Sequence, residues 1–256
     1  MIKLQGLQKH SQVEIFDDYN WWDKHNLLHA ITAERCDYVE SCVDRTFGRG
    51  ALGQQEVLEV GCGGGLISES LAQRDTIVVG IDPSQDALQT ARNHARCSGL
   101  GHVVYFQHGY AESLPYADGS FSVIVCIDVL EHVSDPEATI KEIARVLAPG
   151  GVFVFDTINR TLLARIALLW IGERFFQKYG LIPGLHNYSD FIKPAELRAH
   201  LVKSGLRVHE MIGFMPAFKR RRLTLAPGWF RGASYVGYAT KEVSTAPTRS
   251  SYPPLT

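Results

Sequence analysis

Short apolar runs alternate with amphipathic stretches from residue 56 to residue 155, and that alternation predicts strand and helix in turn. Residues 56–60, 77–81, 103–106, 121–127 and 152–155 read as buried strands, with helices over 66–73, 84–98 and 136–147 between them. The 84–98 helix has its packing face at Ala87, Leu88, Ala91 and Ala95. Strands separated by helices imply an α/β chain with a mostly parallel, doubly wound sheet. Ahead of this region, Leu28, Ile31, Tyr38, Val39 and Cys42 fall on one helical face, and Arg35 falls on that same face. Beyond it the alternation stops. Residues 162–171 are apolar apart from Arg165, a helix is expected over 194–204, and strand-like runs over 206–218 and 234–240 predict an antiparallel C-terminal pair. The chain therefore divides into an N-terminal helical cap (1–50), an α/β domain (51–243) with an insertion at 161–190, and a Ser-, Thr- and Pro-rich tail (244–256) expected to be disordered.

The first strand runs into Gly61-Cys62-Gly63-Gly64-Gly65, where an open α/β sheet turns from strand to helix. Glycines there let backbone approach a bound molecule, and the helix after them turns its free N–H groups to the same crevice. Asp82 ends the second strand, roughly 20 residues on, the place of an acid that binds a ribose hydroxyl. A nucleoside is the expected ligand. The dinucleotide fingerprint G-x-G-x-x-G requires a glycine where Leu66 stands, which disfavours a nicotinamide-linked oxidoreductase. What is present, Gly61-x-Gly63-x-Gly65 preceded by Glu59, resembles the nucleotide motif of class I S-adenosylmethionine (SAM) methyltransferases. That resemblance implies their Rossmann-like fold. An interior-facing Arg35 needs an anion, either a core carboxylate or the carboxylate of SAM.

Composition narrows the function classes. The 256 residues, 45% hydrophobic and 21% charged, suit a soluble globular chain with a sizeable core. A net charge of −1 implies no general attraction to nucleic acid, with Lys219-Arg220-Arg221-Arg222 as a local basic exception. Five cysteines (Cys36, Cys42, Cys62, Cys97, Cys126) without C-x-x-C spacing point to a reducing cytoplasm. The first residues hold no apolar core of a secretory signal, and no run reaches the ~20 apolar residues of a membrane span. Phe16, Tyr19, Trp21 and Trp22 form either a lid or a staple to the core. The insertion reads as an amphipathic element at a bilayer surface or as a helix packed over the sheet.

Asp128, Glu131 and His132 follow the fourth strand at i, i+3 and i+4, which on a helical turn points all three one way. Two carboxylates and an imidazole there serve as ligands of a hard divalent ion such as magnesium. The alternative is a general base, His132 being the natural one, and a plain helix start is the third reading. The 109–116 loop closes a strand end and so lines the crevice; Ala111 and Glu112 match the adenine-holding loop of many SAM methyltransferases, with Tyr110 where an aspartate is common.

Residues 61–65, 128–136, Asp156-Thr157-Ile158-Asn159-Arg160, Asp190-Phe191-Ile192-Lys193-Pro194-Ala195-Glu196-Leu197 and the Trp21-Trp22-Asp23 start together resemble the O-methyltransferases of ubiquinone biosynthesis, over residues 19 to 241. The resemblance implies methylation of a polyprenylated catechol or demethylubiquinol. It implies SAM contacts at Arg35, Gly61, Asp82 and Ile127, to which the glycine turn adds Gly63, and a divalent metal at Asp128, Glu131 and His132, although the family usually has glutamate where Asp128 stands. It also places a membrane-contacting insertion at 162–185, a peripheral position on the inner membrane face, and quinone-biosynthesis partner proteins. Another small phenolic or lipid acceptor, or a non-catalytic SAM-binding module, is the rival expectation.

Overall fold

The computed structural model describes residue 16, residues 19–219 and residues 222–243; the 244–256 tail and the centre of the basic run lie outside the described residues. An eight-stranded sheet, in the order β3-β2-β1-β4-β5-β8-β6-β7, carries the fold. Its parallel part is β1 (Glu56–Val60), β2 (Ile77–Asp82), β3 (Val104–His108), β4 (Phe121–Cys126) and β5 (Leu147–Ile158). The antiparallel part is β6 (Leu206–Lys219), β7 (Arg222–Gly228) and β8 (Ser234–Lys241), joined through the β5–β8 pair. The expected C-terminal pair is therefore real, and β7 is a third antiparallel strand at the sheet edge.

Period-two alternation distributes the strand side chains to two cores. Val57, Val123, Val125, Val152 and Val154 face one side, with Ile31, Val39 and Val43 of helix α1 (Leu27–Phe47) and Leu71 of α2 (Leu66–Ala72). Leu58, Ile124, Phe153 and Phe155 face the other, with Ile140 and Ile143 of α4 (Pro136–Val146) and Leu197 and Leu201 of α5 (Pro194–Lys203). Helix α3 (Gln85–Cys97) buries Ala87, Leu88, Ala91 and Ala95, the face its spacing predicts. Its N-cap Ser84 accepts the Ala87 N–H. Helix α4 opens on Asp135, which caps Ala138 N–H, with Pro136 at its first position.

The insertion departs from α-helical geometry. Leu162–Ala164 starts a helix that widens to a π-helix over Arg165–Gly172 and returns to α over Glu173–Phe175. Ala164, with Leu168 and Leu169, packs against Ile158 and Phe191 in a small satellite core. Leu162, Ile166, Trp170 and Phe175 face outward. Packing on the sheet and an exposed apolar face are thus both present. Among the described residues no helix is long and apolar enough to cross a membrane.

Candidate active site

The C-terminal ends of β1, β2, β4 and β5 open on one side of the sheet, where ligands bind in open α/β folds. Gly61 and Gly63 make the turn after β1 with φ of 74° and 48°, values that an L side chain rarely adopts. A Cβ on Gly61 would overlap Val129, and one on Gly64 would overlap the Trp21 ring. Asp82 fixes the turn from β2: its Oδ2 accepts the Gly63 N–H at 2.8 Å and its Oδ1 accepts the Ser84 N–H at 2.9 Å. Beneath the loop Glu59 is fully enclosed; burial raises its carboxyl to about 8, against the hydrogen bond it accepts from the Ser68 hydroxyl.

A cavity of about 910 Å³ runs from this turn to the insertion. Arg35, Gly61, Gly63, Asp82, Ala111, Glu112, Ile127, Asp128 and His132 all line it. Nine of the sequence-derived site residues therefore share one cavity; the tenth, Glu131, does not. Its carboxyl is turned into the core, where its Oε2 accepts the Thr157 hydroxyl at 2.9 Å and its Oε1 has no hydrogen-bond partner among the described residues. Burial and the neighbouring Asp128 and Asp156 raise the Glu131 carboxyl and favour its neutral form. Glu112 Oε1 accepts the Ser134 N–H at 2.9 Å, tying the loop after β3 to the loop after β4.

The expected common direction of Asp128, Glu131 and His132 is corrected by the backbone. Asp128 has φ of 54°, so the helical spacing argument fails at its first residue; only Val129 to Val133 form a turn, with the Val129 carbonyl accepting from His132 and Val133. Aspartate tolerates that left-handed conformation better than most residues. Asp156 secures it by accepting the Asp128 N–H at 2.6 Å. Arg35, 7% exposed, pairs with Asp128 at 2.6 Å and with Asp156 at 2.9 Å. A divalent ion does not fit this donor set: Asp128 is committed to a guanidinium, Glu131 lies outside the cavity, and among the described residues no three His, Cys, Asp or Glu side chains are grouped to hold one.

Two buried donors of residues that line the cavity, Arg35 Nε and Trp21 Nε1, have no hydrogen-bond partner among the described residues. Unpaired buried donors are rare because each forfeits its hydration. The core-carboxylate reading of Arg35 thus holds through one nitrogen, Nη2, which faces both Asp128 and Asp156. Trp21 lies across Gly63 and Gly64 and stacks with Phe16, whereas Trp22 donates from Nε1 to the Gly64 carbonyl at 3.0 Å and stacks on His94. The first is a wall of the cavity and the second a staple.

Glu173, His186 and Asn26 stand at the site without a mark in the sequence, while Asp156 was visible only as part of the 156–160 segment and Tyr19 only as part of the N-terminal aromatic cluster. Asn26, nearly fully buried, donates to Tyr19 Oη at 2.8 Å, and Tyr19 Oη donates to the Gly180 carbonyl at 3.0 Å, which docks the insertion on the N-terminal segment. An acid at a strand's C-terminal end was a signal for Asp156; the others sit in irregular chain.

A family model described as a methyltransferase domain matches residues 58–155, from β1 into β5. A ubiquinone biosynthesis O-methyltransferase from Xanthomonas euvesicatoria pv. vesicatoria is 37% identical over 86% of this chain and 89% of its own length. One from Xylella fastidiosa strain 9a5c is 39% identical over 80% of this chain and 81% of its own. Among solved structures, a SAM-dependent methyltransferase from Thermotoga maritima superposes with a TM-score of 0.62 at 22% identity, over 90% of this chain and all of the other. One from Aquifex aeolicus gives 0.57 at 17%, over 92% and 99%. These structures share the fold. The sequence relatives, matched over nearly their whole length, place the chain in the ubiquinone biosynthesis O-methyltransferase family.

Proposed function

We propose that the chain transfers a methyl group from SAM to a phenolic hydroxyl of a polyprenylated catechol in ubiquinone biosynthesis. One observation supports this: a single cavity runs from Gly61, Gly63 and Asp82, a turn suited to a nucleoside, to an apolar end at Leu168, Leu181, Ile182 and Leu185. When bound, SAM supplies a methyl group on a positively charged sulfur. The chain's part is to bind and orient. Asp82 takes the ribose hydroxyls, Arg35 takes the amino acid carboxylate, and the 109–112 loop with Ile127 encloses the adenine. Reactant alignment is the main demand of such a transfer.

In this reading the described part of the N-terminal cap, residue 16 and residues 19–50, covers the donor end, and 51–243 is the catalytic domain. Leu162, Ile166, Trp170 and Phe175 on the insertion, with Trp229 beyond β7, leave apolar surface next to the apolar end, suited to a peripheral contact from which a prenyl tail is drawn. No step is assigned to a divalent cation, because Asp128 already holds Arg35. A rival acceptor without a prenyl tail would leave that apolar end unused. The test is methyl transfer from labelled SAM to a short-chain prenylated catechol, beside its unprenylated form, with chelator present. Transfer that favours the prenylated acceptor and survives chelator is the expected result. Transfer abolished by chelator and restored by magnesium would return the ion to the site, and tight SAM binding without transfer to either catechol would move the acceptor elsewhere.

A further inference from the structure

The insertion brings a histidine and a carboxylate together on the acceptor side of the cavity. His186 lines the cavity and Glu173 stands behind it, 5% exposed. Glu173 accepts three N–H groups: Gly184 N–H at 2.7 Å on Oε2, and His186 N–H at 3.2 Å and His186 Nδ1 at 2.9 Å on Oε1. A carboxylate accepting at Nδ1 puts the ring hydrogen there and leaves the lone pair on Nε2. The His132 ring lies 5.1 Å away, centroid to centroid, and the Phe191 ring 6.1 Å away, so the imidazole is wedged as well as tethered. A base within reach of the reacting group, oriented in turn by a third group, is the arrangement that activates a weak oxygen nucleophile. π-helical turns such as the one that delivers Glu173 recur at functional sites.

We propose that His186 is the general base of the methyl transfer, with Glu173 as its positioning residue; this rests on the O-methylation reading above. As the acceptor oxygen bonds to the methyl carbon, the carbon–sulfur bond breaks with its electron pair going to sulfur. The hydroxyl proton passes to His186 Nε2, the Glu173 carboxylate stabilises the resulting imidazolium, and the proton is then lost to water. His132 forms the adjoining aromatic wall with Phe16.

The test compares two acceptors with the full-length protein and SAM: a short-chain prenylated catechol, and its nitro derivative, whose hydroxyl is already ionised at the assay pH. A base matters only where there is a proton to remove. His186→Gln is expected to lower kcat on the catechol by ~10²–10⁴-fold and on the nitro derivative by no more than about tenfold. Glu173→Gln should show the same acceptor-dependent loss at smaller size, and His132→Gln should show none. Affinity for S-adenosylhomocysteine, measured calorimetrically, should be unchanged in His186→Gln and Glu173→Gln. Imidazole added to His186→Gly should restore turnover on the catechol alone, which keeps the test open if the glutamine variant folds poorly. Equal losses on both acceptors, or an acceptor-dependent loss in His132→Gln instead, would overturn the assignment while leaving the O-methylation reading in place. No transfer by the wild type to either acceptor removes both.

Discussion

Replacing Arg35 by methionine keeps most of the stem volume and deletes the cation between two acids. Removing one partner of a buried ion pair costs about 3–5 kcal/mol, because the other charge is left without compensation. Asp128 is 31% exposed and recovers water, so the loss belongs chiefly to Asp156, whose side chain is 4% exposed, and about 3 kcal/mol is expected. The pH dependence identifies the cause. Burial raises the Asp156 carboxyl and Arg35 is the main influence holding it down. Without Arg35 the neutral acid is favoured over a wider range, so the variant escapes most of its penalty at about pH 5.5, where a proton is available, and suffers all of it at about pH 8.5. Guanidinium unfolding of both proteins at the two pH values measures this. A loss of the same size at both would show that packing, not the uncompensated acid, is responsible. Arg35→Met/Asp156→Asn should then regain part of the stability lost at the higher pH.

Gly61→Ala combines a left-handed backbone with a Cβ overlapping Val129 and should destabilise by about 2–4 kcal/mol; a Val129→Ala background should return the steric part only, by thermal or chemical unfolding. Asp82→Ala removes the acceptor of two loop N–H groups and the ribose ligand together, so S-adenosylhomocysteine affinity measured by calorimetry should fall at least about tenfold; a smaller change would remove Asp82 from the ligand contacts. Glu59 has its carboxyl raised to about 8 in the fold against an ordinary 4.5, so its stabilising share is fully present below about pH 4.5 and is lost as pH rises through about 8. Stability measured across that window should decline, and Glu59→Gln should flatten the decline.

The donor end of the site was legible in the sequence because it obeys local rules. A strand, a glycine turn, a helix and an acid at the next strand's end lie within about 27 residues, and β1, α2 and β2 form close to where periodicity puts them. Two features were hidden by register. Cys126 pairs with Phe155 across β4 and β5, which carries Asp128 to Asp156; nothing within either segment announces that meeting. The positive φ of Asp128 then undoes a spacing argument that assumed a helix. Strand β7 went unmarked in the sequence; it ends on Pro227 and Gly228, and an edge strand tolerates proline, β7 being the last strand of the sheet. Strand β5 likewise begins at Leu147, ahead of the 152–155 run that its apolar residues mark, because Pro149, Gly150 and Gly151 interrupt the pattern.

The acceptor end follows a different logic. It is made by the insertion, where a widened helix, short turns and backbone held by Glu173 replace periodic structure, and hydrophobic spacing has no hold on such chain. Placing variable irregular chain on a rigid sheet lets one donor site serve many acceptors. The solved structures share the fold at 17–22% identity. Specificity and proton transfer should therefore be sought in the insertion. His186, its Glu173 support and the apolar surface around Leu181 and Leu185 all come from one segment of about 30 residues, so a change of acceptor can proceed there while Gly61, Asp82 and Arg35 stay as they are.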